Sequence, residues 1–176
     1  MEETEQAPIP TTQSVGVRYG VIYGAIAIVY FLIFAVSGMN MSGAAQWGSS
    51  AIAIVVVVLA HKYFKDNGDG FMSYSQGLGI GALIGAVSAA MSRIFTYIYI
   101  KFIDASFIQH ARDKAIEDMQ NKGQSDEQIE MGMKFVEMFT SPEAMLGLGL
   151  FFGVLILVII ALVVSIFTQK AKPEQF

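Results

Sequence analysis

The sequence predicts an all-α, polytopic membrane protein: four transmembrane helices, with an extramembrane helical hairpin between spans three and four. Three observations predict it. Of 176 residues, 54% are hydrophobic and only 15% are charged. The apolar residues are gathered into blocks instead of recurring at the period of a soluble amphipathic fold. Four blocks, about Val17 to Val36, Ala44 to Tyr63, Ser75 to Lys101 and Ala144 to Phe167, reach the roughly 20 residues that cross about 30 Å of hydrocarbon.

Taken in order, the chain begins with an acidic, polar tail over residues 1–16, "MEETEQAPIPTTQS" and its continuation. It has no basic n-region and no small-residue cleavage site after the first apolar run, so span one reads as an uncleaved anchor behind a short disordered tail. A charge-free connection, "SGMNMSGAAQWGSS", leads to span two, with Trp47 placed for the interface. The core of span two, "AIAIVVVVLA", is β-branched enough for a buried strand in water. In hydrocarbon the backbone must bond to itself, which makes it a helix. The turn signals Asn67-Gly68 and Asp69-Gly70 bring the chain back out.

Residues 104–141 form the one sizeable extramembrane piece, and their spacing predicts a helical hairpin. Phe107, Ala111, Ala115 and Met119 recur every four residues with Ile108 and Ile116 beside them. Asp104 or Ser106 can cap this helix and Gly123 can end it. Ser125 and Gln128 have capping-box spacing for a second helix through Ile129, Met133 and Val136. Ser141 then caps span four, Pro142 takes its first position and Glu143 suits the positive helix end. Residues 169–176 are a short tail.

Four spans put both termini and the Asn67 connection on one side, close to Arg18, Lys62, Lys65, Lys170 and Lys172. Short loops and the first span weigh most in orientation, which places both termini in the cytoplasm. The net charge of −4 comes mainly from outside the spans and argues against a nucleic-acid partner. The absence of cysteine removes disulfides and thiolate chemistry.

Two kinds of feature stand out inside the spans. Small residues four apart let helix backbones approach closely: Gly16, Gly20 and Gly24 on span one, Gly77, Gly81, Gly85 and Ala89 on span three, and Gly149 and Gly153 on span four. They serve packing within the chain or a dimer face. The rows of spans one and three repeat at a constant offset, so a duplicated two-plus-two origin and convergence are both open.

The second feature is Arg93, a charge well inside span three with no acidic residue in any apolar core. An unpaired charge there costs at least about 2.5 kcal/mol. It is either a snorkelling or bundle-locking arginine, or an anion contact or gate, with Ser88, Ser92 and Thr96 as a hydroxyl row beside it. On a straight helix each four-residue step turns about 40°, which sets Arg93 about 80° from Gly85 and about 160° from Gly77. The ladder and the arginine then belong to different faces.

No metal or cofactor set is legible. His61 lies in no ligand spacing, and His110 with Asp113 is one pair without a third member. "GLGIGALIG" contains a formal GxGxxxG, but it opens a membrane span with no strand before it. No hydrolase, protease or kinase motif occurs, so the sequence predicts no enzyme and no cofactor.

The order "IFTYIYIKFIDASF", a charged hairpin with "SDEQIE", then "MFTSPEA" before the last span resembles a family of small bacterial membrane proteins, found mainly in Bacteroidetes and catalogued as domain of unknown function 4199. The likeness runs from about Gly16 to Thr168. It implies a four-helix inner-membrane protein and supplies no site residues. Ala105 stands where members often carry proline, so a fixed turn is not implied there.

The function these features suggest is a non-enzymatic scaffold or accessory subunit acting through its hairpin. Met131, Met133, Phe135, Met138 and Phe139 make its second helix rich in soft apolar contacts. The expected partners are the lipid bilayer and either further copies of the chain or another membrane protein. The alternative is a small oligomeric transporter or channel with Arg93 lining the path.

Overall fold

The computed structural model describes residues 9–37 and 43–173, the side chains of 43–46 excepted. The first eight residues of the expected tail, the connection at 38–42 and the chain after 173 lie outside the described residues. Among the described residues the chain is all helical: α1 (Thr12–Ser37), α2 (Gly43–Asp66), α3 (Tyr74–Ile98), α4 (Ser106–Asn121), α5 (Asp126–Thr140) and α6 (Pro142–Thr168). A π turn over Tyr99–Ile103 extends α3. Four helices, α1, α2, the extended α3 and α6, are long and apolar enough to cross a membrane. The protein is a multi-pass membrane protein.

Local chemistry fixes the helix ends. α1 starts at Thr12, ahead of the apolar run, because Thr11 and Ser14 cap each other: each backbone N–H donates to the other's hydroxyl at 3.0 Å. Ser73 and Gln76 form a capping box at α3, and Ser125 and Gln128 form one at α5. Asp104 accepts from the Ser106 N–H at 2.9 Å and from its hydroxyl at 2.5 Å, so the chain turns at the end of the π segment without proline. These bonds hold the Asp104 carboxyl below the usual carboxylate range. Gly123, at φ 71°, ends α4 in the left-handed region. Ser141 accepts from the Ala144 N–H at 3.3 Å and Pro142 opens α6.

The membrane helices form a ring in the order α1, α3, α6, α2. α3 packs along most of its length on both α1 and α6, whereas α2 makes narrower contacts with α1 and α6 and touches α3 least. Val57, Ala60, Ile80, Ile84 and Ala161 are fully buried where the four meet. The outward faces carry Val29, Ile33, Ile159 and Phe167, all largely exposed, an arrangement stable only when lipid covers them. α4 and α5 pack on each other beyond the end of α3, with Met119 against Gly132 and Phe107 against Phe31 of α1.

The structure gives the two glycine rows different partners, which bears on the duplication. Those of α1 meet α3, and those of α3 meet α6. If α1–α2 and α3–α6 were equivalent halves, the glycines of α1 would face α2. The rows are therefore not equivalent in what they pack against.

Candidate functional site

The site is best built from the helix registers, because they decide where Arg93 can go. α1 and α3 run parallel, and Gly16, Gly20 and Gly24 receive Leu83, Val87 and Met91 in turn. A Cβ at Gly16 would come within 2.5 Å of Leu83 Cβ, and one at Gly20 within 2.7 Å of Val87 Cβ. α3 and α6 run antiparallel in an equally regular register. Gly77 lies against Ser165, Gly81 against Ala161, Gly85 against Leu157, Ala89 against Gly153 and Arg93 against Gly149. Each pairing is one four-residue row set into another.

Arg93 is thus the last rung of the ladder, which corrects the expectation that the two occupy different faces. The 80° drift from Gly85 holds for a straight, isolated helix; here α3 and α6 follow each other so that the row stays in contact. The other half of the pairing is Gly149. A Cβ there would come within 2.8 Å of Arg93 Cδ and 2.9 Å of its Nε, so the missing side chain is what lets the arginine lie across α6.

This geometry also bears on snorkelling. An arginine reaching for the nearer aqueous end would run along α3 toward Tyr97 and Lys101. Instead its Cδ, Nε and Cζ lie over Gly149 of the partner helix, 2.8, 2.9 and 3.3 Å from where a Cβ there would stand. The carboxylate at that end, Glu143, is taken by Lys101 at 3.1 Å. Among the described residues Arg93 has no ion pair and no hydrogen bond. It borders an open-sided cavity of about 290 Å³ lined by residues of all four membrane helices.

Ser88, Ser92 and Thr96 line that cavity as well. The Ser88 hydroxyl donates to Ile84 O at 2.6 Å, and the Ser92 hydroxyl to Ala89 O at 3.4 Å, so both spend their proton on their own helix and offer only lone pairs inward. Tyr23 and Tyr30 from α1 and Ser49 and Ser50 from α2 complete the polar lining, and Tyr23 interacts electrostatically with Arg93. The remaining wall is apolar and includes Ile26, Phe31, Ile52, Ala53 and Ile156. Sequence reasoning missed Tyr23, Tyr30, Ser49 and Ser50. Their only signal was polarity within helices α1 and α2, and nothing local tells which way they turn.

At the opposite end of the bundle lies a polar clasp that was also missed. His61 is fully buried. Its Nε2 lies 2.9 Å from the Gly77 carbonyl and its Nδ1 2.8 Å from the Thr168 hydroxyl. A carbonyl only accepts, so Nε2 carries the proton. Lys65 donates to the Thr168 carbonyl at 2.8 Å, satisfying the C-terminal end of α6. Gly77 has no room for a side chain here: a Cβ would come within 2.7 Å of Ser165 Oγ and 3.2 Å of His61 Cε1. His61 is a structural link between α2, α3 and α6.

Among the described residues no group of three or more His, Cys, Asp or Glu side chains could hold a metal ion. The arrangement at Arg93 sets a cation among hydroxyls and apolar side chains, a setting suited to an anion. No curated protein and no solved structure matches the chain. The family whose model does match, over residues 18–170, is described as protein of unknown function (DUF4199), and the chain belongs to that family.

Proposed function

We propose that the protein is a non-enzymatic scaffold or accessory subunit of a bacterial inner membrane, with both termini in the cytoplasm, and that α5 meets another membrane protein. The observation that carries this reading is the outer face of α5. Met131, Phe135, Met138 and Phe139 are each more than half exposed, on a helix that passes directly through Ser141 into α6. Its C-terminal turn therefore stands at the membrane surface, where the exposed segment of another membrane protein is within reach. Methionine and phenylalanine suit such a contact because they repack easily around an imposed shape.

The chain has no cysteine, so a single cysteine at Phe135 or Met138 is a unique attachment point. A photoreactive group placed there in the native membrane should cross-link to a distinct protein, and replacing 106–140 by a flexible linker should abolish co-purification of that protein. Cross-links to lipid alone would overturn the reading.

The transporter alternative has the cavity in its favour. Against it, the bundle is closed on the far side of the cavity by fully buried Val57, Ala60, Ile80 and Ile84, so a path through one chain is interrupted.

A further inference from the structure

The cavity at Arg93 is unusual for what it leaves uncompensated. A guanidinium presents five N–H donors in a plane and stays charged at any physiological pH. Here it lies over Gly149 within the apolar span of α3, its side chain still exposed, with neither carboxylate nor carbonyl bonded to it among the described residues. The nearby serine protons are committed to helix carbonyls. An intramembrane charge without a partner is costly, and a bound anion would offset that cost.

We propose that this cavity is a binding site for an oxyanion, a phosphate or a carboxylate, held in bidentate fashion by Arg93, and that an apolar tail on the ligand occupies the rest of the site. Fork-shaped pairing with phosphate or carboxylate is the geometry for which arginine is preorganised. The tail follows from the walls: Ile26, Phe31, Ile52 and Ile156 line the cavity with the charge, and the lining holds no second cation to balance a small multivalent anion. Size agrees. At about 30 Å³ for each water-sized group, about 290 Å³ holds a headgroup and the first few methylenes. The rest of an acyl chain would leave past Ile26 and Ile156, both substantially exposed on the lipid-facing side. The site stands independently of what the hairpin contacts.

The test uses the full chain, purified in a neutral detergent and stripped of lipid, with binding followed by native mass spectrometry. The probes are phosphatidylglycerol, oleate, phosphatidylcholine and inorganic phosphate. Phosphatidylglycerol and oleate are expected to bind at least tenfold more tightly than phosphatidylcholine, and Arg93→Gln should erase that difference while Arg93→Lys retains part of it. Ala53→Phe leaves the charge in place and fills the apolar part. It should weaken the tailed ligands at least tenfold and leave inorganic phosphate unaffected, which also separates the cavity from lipids bound on the outer surface.

Arg93-dependent binding of inorganic phosphate as tight as that of the lipids would support the oxyanion site and assign it to a free anion. Equal affinity for anionic and neutral lipid would overturn the proposal, as would unaltered binding by a folded Arg93→Gln protein. Should Arg93→Gln fail to fold, the Ala53→Phe protein decides: unchanged binding of every probe would overturn it.

Discussion

A methyl group has opposite consequences at Gly81 and at Gly147. At Gly81 the new carbon would overlap the Ala161 side chain in the closest part of the α3–α6 contact. At Gly147 it would meet nothing within 4 Å. Overpacking at Gly81 costs about 1–3 kcal/mol, whereas alanine at the open helical site gains up to about 1 kcal/mol by helix propensity. Gly81→Ala should therefore lower the unfolding temperature in detergent and Gly147→Ala hold or raise it, as read by size-exclusion after heating. Spacing alone singles out Gly81, because it lies in a four-residue row. What spacing does not contain is the identity of the neighbour: Ala161 is far away in sequence, and only the α3–α6 register names it. The same holds for Arg93, whose partner Gly149 is legible in the sequence as a row member but not as its seat.

At the scale of elements, caps are legible and clasps are not. Ser125, Asp104 and Ser141 act on backbone groups within three residues, so their geometry follows from short-range sequence. His61 bonds residues 16 and 107 positions away, and nothing near it in the chain distinguishes it from a solvated span end. The terminal strap is of the same long-range kind. Met72 and Lys170 exchange backbone bonds at 2.9 and 2.8 Å, and Lys172 pairs with Asp69 at 2.5 Å. The Lys172 ammonium, with the Phe71 N–H, holds the Asp69 carboxyl below its ordinary 3.8. A depressed carboxylate contributes stability above its unfolded pKa and loses it as pH falls through the folded one. Asp69→Asn should thus be slightly less stable than the parent near neutral pH, and the two melting curves should converge in acid below 3.8. The pair is exposed, so the difference is small and shrinks in high salt.

For the whole molecule, hydropathy blocks were enough to reveal the class, since four runs of bilayer length leave few alternatives in a chain of 176 residues. Ring order was not legible. Rows of glycine advertise close approach without saying to what, and α1 sets its row against its ring neighbour α3 rather than against α2, the helix that follows it in sequence. Orientation is a property of the whole as well. With both termini in the cytoplasm, the turn at Gln124 faces outward and the connection at Asn67 inward. In right-side-out spheroplasts a membrane-impermeant maleimide should label Gln124→Cys directly and Asn67→Cys only after permeabilisation. The reverse pattern would invert the protein in its membrane and leave the fold as described.

The paired rows have a mechanical meaning. α3 engages α1 and α6 as a toothed bar engages two others, with Leu83, Val87 and Met91 seated in one and Gly77 through Arg93 meshed with the other. Sliding either neighbour along its axis means disengaging every tooth and moving a full step of four residues, about 6 Å. Those three helices therefore travel as one block. α2 makes narrower contacts, has no glycine row and is tied to the block at its other end through His61, and it forms the wall of the Arg93 cavity that carries Ser49, Ser50 and Ala53.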